Sequence, residues 1–505
     1  MKKLFLLFVG VIFMFTIKAQ DISDAVRYSS EGTYGTARFR AMSGAFGALG
    51  GDMSAVSLNP AGSAIFNYSH TSFTVTNYDI DNTTEYFGSV NSSSNSNFDF
   101  NQAGIVFVFN NTNENSPWKK FVIALSYEQT QNFDDNFFAN GINTTSIDSY
   151  FLANAQGLRL DEISAFEGES ITEAYGEIGA SFGYTNQQAF LGFESYILEP
   201  DSFDDDNTAY SSNIAQGNFN QEYFYASTGY NGKFSVNIAA EYQDYLYLGL
   251  NLNSHFINYN RSTFLFEENS NLGSLVSEVE FENNLSTIGT GFSFQLGGIA
   301  KLSDVIRVGL TYDSPIWYTI SEETTQYLAT VRDDNGSNVT EILNPLIINV
   351  FPDYKLQTPA KITGSLALVI DKQAIISFDY SRKDYGNTKF KPESDQLFSF
   401  QNNLISNSLK AANTYKIGGE YRHNNASFRA GYKLEESPYK DTNFYGDLKG
   451  FSLGFGYSFG NTKIDLAYEN SNRTINSQLY NVRLTDAVRI DTDYSNFTLS
   501  LSLNL

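Results

Sequence analysis

Residues Arg38–Phe66, RFRAMSGAFGALGGDMSAVSLNPAGSAIF, are rich in Gly, Ala and Ser and carry only Arg38, Arg40 and Asp52 as charged side chains. Each glycine costs a helix about 1 kcal/mol against Ala, so the stretch is a poor isolated helix. It also lacks the alternation of a strand. Asn59-Pro60-Ala61-Gly62 reads as a tight turn, with Pro60 fixing φ and Gly62 permitting a positive φ. From Ser69 to the last residue the chain is mostly alternating apolar and polar residues. A compact small-residue segment ahead of such an array is what a plug inside a β-barrel looks like.

The chain has 505 residues, no Cys, 32 Lys+Arg against 56 Asp+Glu, and a formal charge of -24. That charge is opposed to nucleic-acid binding, which needs a basic face. The absence of Cys removes disulfides, thiolate metal sites, a Cys nucleophile and the acylated cysteine of a lipoprotein. Residues 1–19 read as a secretory signal: Lys2 and Lys3, then the apolar run Leu4–Ile17, with cleavage expected after Ala19. No later apolar run is long enough for a membrane helix. A transmembrane barrel escapes that test, because each of its strands is only weakly apolar.

Residues 20–68 form an N-terminal arm and plug, and 69–505 the barrel. Phe73 and Val75 begin the alternation, and Ile105–Phe109 pairs with Phe121–Tyr127 around Asn110–Trp118. In the second of these, Phe121, Ile123, Leu125 and Tyr127 share one face, with Val122 and Ala124 on the other. Asn132–Gly229 breaks the pattern and is too long for a structureless loop. Within it Ser146–Ile163 has partly helical spacing. Ile171–Leu198 is either one more hairpin turning at Thr185–Gln188 or, by preference, a helical lid on the extracellular side. Asp204-Asp205-Asp206 lacks full calcium-ligand spacing and reads as a solvated acidic turn. Beyond residue 230 regular strand pairs follow, for example Phe451, Leu453, Phe455 and Tyr457, then Gly460-Asn461, then Ile464, Leu466 and Tyr468.

Strands of about ten residues suit a tilted membrane strand. Their second face holds Lys, Arg, Asp, Glu, Ser and Gly, as a polar lumen requires. Tight turns such as Asp371-Lys372 alternate with long links at Asn260–Asn283, Ser321–Pro352 and Gly386–Lys410, the asymmetry of an outer-membrane barrel. Tyr242, Tyr312, Tyr380, Tyr421 and Tyr468 at strand ends suit an interfacial girdle. The fold class expected is all-β: a transmembrane antiparallel barrel of about fourteen strands, or about sixteen if Ile171–Leu198 is a hairpin.

The run Arg40–Phe46, with Asp52–Val56 and Asn59–Gly62, resembles the hatch signature of the FadL/TodX family of outer-membrane transporters for hydrophobic compounds. Phe428–Tyr432 with Ser437-Pro438 is a second local match. The resemblance implies a fourteen-stranded barrel with an N-terminal hatch in the lumen, and passive uptake of long-chain fatty acids or aromatic hydrocarbons. The chain departs from it in ending on Leu505 rather than an aromatic residue, and in the length of Asn132–Gly229.

Phe39, Met42, Phe46 and Leu49 are candidates to line an apolar ligand site or, equally, the core of the hatch. Asn59, Pro60, Ala61 and Gly62 form the hatch turn. Of the lumen cations Arg307, Lys416, Arg422, Arg429 and Lys433, some pair with Asp313 or Glu420. Arg429 is the candidate to meet a ligand carboxylate. His70, His255 and His423 have no metal-like spacing, and no serine is matched to a histidine and a third orienting group. No metal, no cofactor and no enzymatic activity are expected. The expected partners are a hydrophobic ligand and outer-membrane lipid, with the protein a monomer in the cell outer membrane. The competing readings are a same-fold component of a protein secretion or interaction system and a lipid-acting enzyme.

Overall fold

The computed structural model describes residues 22–505 apart from Glu114, Lys372 and Asn481. The expected signal peptide, 1–19, lies outside the described residues. The chain forms a closed antiparallel barrel of fourteen staves, in which the last strand, Ala487–Asn504, pairs with the first, His70–Tyr86. Some staves are interrupted strands. Trp118–Asn132 is continued by Asp135–Asn143, and Ile306–Asp313 by Trp317–Asp334. No helix among the described residues is long and apolar enough to cross a membrane.

The alternation places apolar side chains outward. Phe73, Leu125, Phe234, Leu310, Leu366, Phe428, Leu453 and Leu499 are exposed, while Thr74, Asn237, Gln295, Asp379, Glu420, Asp465 and Ser500 are buried. This inverts the pattern of a soluble sandwich and is what a lipid-facing wall around a polar lumen requires. At the strand ends Tyr242 packs edge-on to Trp118 with ring centroids 5.1 Å apart, whereas Tyr468, expected at a strand end, lies within its strand, 4.8 Å from Phe497. Both ends of the barrel chain lie at the end that carries the tight turns, such as Gln243–Tyr245 and Asn424-Asn425.

Several staves are much longer than the ten or so residues expected. Leu246–Glu268 and Val276–Lys301 pair along nearly their whole length, so Asn260–Asn283 is mostly strand and not a long link. Ser321–Pro352 is likewise largely strand, in Trp317–Asp334 and Ser337–Leu343. These staves run on past the bilayer because their inward faces stay apolar there and find a partner to cover them. Leu265, Val279, Phe281 and Leu328 pack into one core with Phe151, Tyr175, Phe190 and Leu191 of the inserted segment.

That segment is shorter than Asn132–Gly229, because strand continues to Asn143 and resumes at Phe219. Ile171–Leu198 is not a hairpin. It contains the helices Ile171–Ser181 and Tyr184–Glu194, the first opened by a capping box between Ser170 and Glu173. Gly183, at φ +95°, makes the corner between them. A third helix, Asp148–Ala155, lies in the stretch with helical spacing. Together they cap the long-loop end of the barrel. A second small cap is the helix Gln396–Ser408, whose Ile405 joins Tyr354, Phe390 and Tyr439.

The small-residue stretch lies inside the lumen, buried almost throughout. It is more helical than its glycines suggest, with Ala37–Arg40, Met53–Leu58 and a 3₁₀ turn Pro60–Ile65. Each element is short and capped by a side chain. Thr36 accepts from the N–H of Phe39, Asp52 from that of Ser54, and Asn59 from that of Ala61. Tertiary burial, not propensity, holds them. Asn59–Gly62 is therefore the opening of a 3₁₀ helix, and Gly62 is not among the residues with positive φ. Its glycine serves packing, since a Cβ there would meet the Gly50 Cα at 3.2 Å.

Candidate functional site: the plugged lumen

The plug is seated on the wall by side chains that reach its backbone. Asp379 accepts from the N–H groups of Phe46 and Gly47, at 2.9 and 3.0 Å. Asn237 donates to the Pro60 carbonyl at 2.9 Å, Asn251 to Val56 at 2.8 Å and Gln295 to Ser57 at 2.9 Å. Ser500 accepts from the Ala37 N–H at 2.7 Å. Asn59 adds a tie of its own, donating to the carbonyls of Gly47 at 2.7 Å and Gly298 at 3.2 Å. Buried carbonyls and N–H groups have to be paired, and here the inward polar rows of the staves do it.

Close approach of plug and wall depends on glycines in the staves. A Cβ at Gly249 would stand 2.3 Å from the Pro60 carbonyl carbon, at Gly309 2.2 Å from the Gly47 oxygen, and at Gly418 2.6 Å from the Met42 oxygen. Ion pairs complete the seat. Arg38 meets Glu420 at 2.8 Å, and Arg40 is paired with Glu469. Arg429 spans Glu420 and Asp465, at 2.6 and 2.8 Å.

The residues expected from the sequence fall into two groups. Met42, Phe46 and Leu49 are buried in a cluster with Ala367 and Ile375 of the wall. Phe39 packs on Phe46 at 5.5 Å, and of these four it alone also borders the lumen cavity. Arg429 is fully buried and engaged with carboxylates. Arg422 shares Glu420, and Arg307 donates to the Leu49 carbonyl at 3.3 Å. Lys416 and Lys433 border the cavity.

That cavity, about 310 Å³, lies above the plug and is lined in part by Tyr34, Phe39, Tyr78, Gln129, Lys416 and Lys433. The N-terminal arm forms one side of it. Glu31 on the arm pairs with Lys361 at 2.6 Å and Lys383 at 3.3 Å. Sequence reading assigned the arm no role. The signal was present in Glu31, a lone acid in an otherwise uncharged run, opposite two inward lysines on staves far away in the chain.

One part of the wall is not closed by backbone. The ladder between the second stave, Ser89–Asn110, and the third stops at Gln102 and Glu128. Above that level side chains bridge the seam. Tyr78 donates to Gln129 at 3.2 Å, and Asn132 to Asp99 at 3.1 Å. Higher still, Asn82 and Thr84 of the first stave donate to the carbonyls of Asn136 and Phe138, so the third stave passes behind the first hairpin. Gln129–Asn132 line the cavity from the inside. Outside, beside the seam, Phe100 stacks on Tyr127 at 5.3 Å, and Tyr127 lies 5.2 Å from Phe234.

Beneath the lid, Glu267, near the end of the stave Leu246–Glu268, accepts from Ser146, from the Ile147 N–H at 2.9 Å and from Gln221 at 2.7 Å. Burial pushes its carboxyl up to about 7, against the pull of those hydrogen bonds.

A barrel apolar outside and polar inside, closed by its first strand on its last and holding its own N-terminal segment in the lumen, is a plugged transmembrane barrel of the outer membrane. Residues 207–504, more than half of the chain, match the family described as outer membrane protein transport protein (OMPP1/FadL/TodX), and the chain belongs to that family. It is an outer-membrane transport protein. The crystal structure of a Pseudomonas aeruginosa FadL homologue is similar over 94% of this chain and 99% of that one, at 12% identity and a TM-score of 0.54. The Pseudomonas putida toluene transporter TodX is similar over the same shares, at 14% identity and a TM-score of 0.51. These likenesses are of fold. No curated protein matches the sequence.

Proposed function

We propose that the protein moves hydrophobic small molecules, such as long-chain fatty acids or aromatic hydrocarbons, across the outer membrane by passive diffusion and without catalysis. Residues 20–68 act as the N-terminal arm and hatch and 69–505 as the barrel. Membership of the family supports the transport class, and the relatives named for toluene and FadL-type transport support the apolar cargo. The observation that carries the reading is the seam. An apolar solute in the cavity faces a wall held there by a few side-chain hydrogen bonds, and an aromatic surface lies just beyond it. The plug below is held by many wall contacts and by glycine-fitted packing, so sliding it aside costs far more than parting the seam. The hatch then serves as the seal that keeps polar solutes out while cargo leaves sideways into the bilayer.

The chain has no cysteine, so a crosslink can be placed cleanly. Asp99→Cys with Asn132→Cys, bridged through two disulfides by a short bis-methanethiosulfonate reagent, should slow uptake of labelled oleate and toluene into cells, and reductant, by cleaving those disulfides, should restore it. Uptake indifferent to the bridge would remove the seam from the route. Retention of a secreted protein by the purified barrel, with no uptake of either compound, would favour the interaction-component reading.

A further inference from the structure

The outer face of the wall carries a notch of about 290 Å³, lined in part by Ala226, Thr228, Asn260, Ser262, Asn284 and Thr325. The ladders set Ala226 beside Ser262, Ser262 beside Asn284 and Asn284 beside Thr325, so the notch crosses four neighbouring strands at one level. On the stave Phe219–Tyr242, Ala226 and Thr228 share the outward face with the exposed Phe234, Val236 and Ile238. Ser227, between them, points into the lumen and donates to the Phe133 carbonyl at 2.6 Å.

The height of the notch follows from the lipid face below it. From Tyr242, at the tight-turn end, up to Tyr230 the stave climbs roughly 30 Å, at about 3.3 Å per residue and a tilt of about 40°. That is the thickness of the hydrocarbon of a bilayer. Tyr230 lies edge-on to Phe256 with ring centroids 5.8 Å apart, and the pair closes the apolar band as an interfacial girdle does. The notch opens one outward residue higher, at Thr228, the level of the headgroups of the outer leaflet. Aromatic rings bound it from above: Phe264 lies 6.1 Å from Phe224, and Phe224 lies 4.5 Å from Phe138.

The lining specifies the chemistry of the headgroup. Asn, Ser and Thr each donate and accept hydrogen bonds, as sugar hydroxyls do. Asn284 donates to Glu282 at 2.7 Å, which fixes the plane of its amide. Glu323, at the edge, is exposed and can only accept. Among the described residues no Lys or Arg points outward from these four strands at this level. A phosphate headgroup would call for such a cation, whereas the C–H face of a sugar ring suits the aromatic rings above. We propose that the notch binds the sugar headgroup of an uncharged glycolipid of the outer leaflet. The acyl chains of that lipid continue down the apolar band, over Tyr230, Phe256 and Phe234, so the notch extends a surface that lipid already covers.

The test is native mass spectrometry of the full chain in detergent, titrated separately with digalactosyldiacylglycerol and with dioleoylphosphatidylglycerol. Wild-type protein should bind the galactolipid roughly tenfold or more tightly than the phospholipid. Ala226→Phe with Ser262→Phe fills the notch and should abolish that preference while leaving phosphatidylglycerol unchanged. Asn260→Ala with Asn284→Ala removes the amides without adding bulk, and should weaken the galactolipid by roughly tenfold, the worth of one or two hydrogen bonds. This second pair decides the matter if the filled variant does not assemble. A galactolipid preference that survives the amide variant, or that is absent from wild type, overturns the site. Phosphatidylglycerol bound as tightly as the galactolipid, and lost when the notch is filled, would make it a phosphate site and overturn the proposal. Displacement of the galactolipid by an equal concentration of lactose would make it a site for free sugar, and overturns the proposal as well.

Discussion

Asp379 and Gly47 are joined across the plug–wall boundary: the wall carboxylate accepts the Gly47 N–H at 3.0 Å and, with the same oxygen, that of Phe46 at 2.9 Å. Both donors are buried. Asp379→Ala should therefore leave two unpaired N–H groups and cost about 2–4 kcal/mol. Thermal unfolding in detergent should show the loss, and entry of a chromogenic cephalosporin into the periplasm should rise. A variant as tight and as stable as wild type would show that Asp379 does not hold the plug.

Glycine at position 309 is required by contact. Gly309→Val should push the plug off its seat, because even a Cβ would lie 2.2 Å from the Gly47 oxygen. Overpacking of this kind costs about 1–3 kcal/mol. Gly364→Ala on the neighbouring stave has nothing within 4 Å and should be silent. Leak measurements on the pair separate close packing from any general intolerance of glycine replacement in strands.

Leu453 lies on the lipid face, flanked by Phe451 and Phe455 and half exposed. Leu453→Arg should cost about 2–4 kcal/mol at mid-membrane and lower the folding yield into lipid vesicles. Ser452→Ala, one residue along, puts no charge in lipid but removes the oxygen that accepts the buried Ser43 N–H at 3.0 Å, so its effect, about 1–3 kcal/mol, should fall on the seating of the plug and not on the folding yield. The reverse ranking would turn the wall inside out.

Glu267 gives the lid a pH dependence. Its folded carboxyl titrates at about 7, above the value of about 4.3 for an unfolded Glu. The folded state therefore binds more protons than the unfolded state between those two values. Stability of the lid is greatest below about pH 4.5, where both states are protonated, and is lost as pH rises through 7. Hydrogen-exchange protection at Ile147 and its neighbours, taken relative to the intrinsic exchange rate at each pH, should be lower at pH 8 than at pH 5.5, and Glu267→Gln should flatten that difference.

An epitope inserted at Asn335-Gly336, the tip of the hairpin made by Trp317–Asp334 and Ser337–Leu343, should be labelled on intact cells. Labelling only after the outer membrane is permeabilised would reverse the orientation.

The barrel was legible because its period is simple. One residue in two faces lipid, and Phe451, Leu453, Phe455 and Tyr457 announce it without any knowledge of partners. The small-residue stretch was legible as a plug for a similar reason, since it fits neither a helix nor a strand on its own. What the sequence hid was set by distant pairing. Strand in Asn260–Asn283 is disguised by Glu, Asn and Ser on the face that leaves the bilayer, and its inward Leu265, Val279 and Phe281 have meaning only against a lid more than sixty residues away in the chain. Gly62 was misread for the same reason: turn chemistry explains a glycine locally, whereas this one makes room for the backbone at Gly50. The seam was invisible, because nothing in Gln129–Asn132 says that a ladder ends there.

The seat of the plug draws on the whole length of the chain. Ala37 is held by Ser500, Arg40 by Glu469 and Arg38 by Glu420, and the first strand waits for the last. The earliest residues to be synthesised thus acquire their native partners only when the latest arrive. Contacts of such sequence separation are slow to form, so the plug cannot act as a nucleus around which the wall is laid down. It has to be enclosed by a wall that is still open, and zipping the two ends of the chain together is the step that sets plug and wall at once. A barrel missing only its final strand would therefore lose its seal along with its closure.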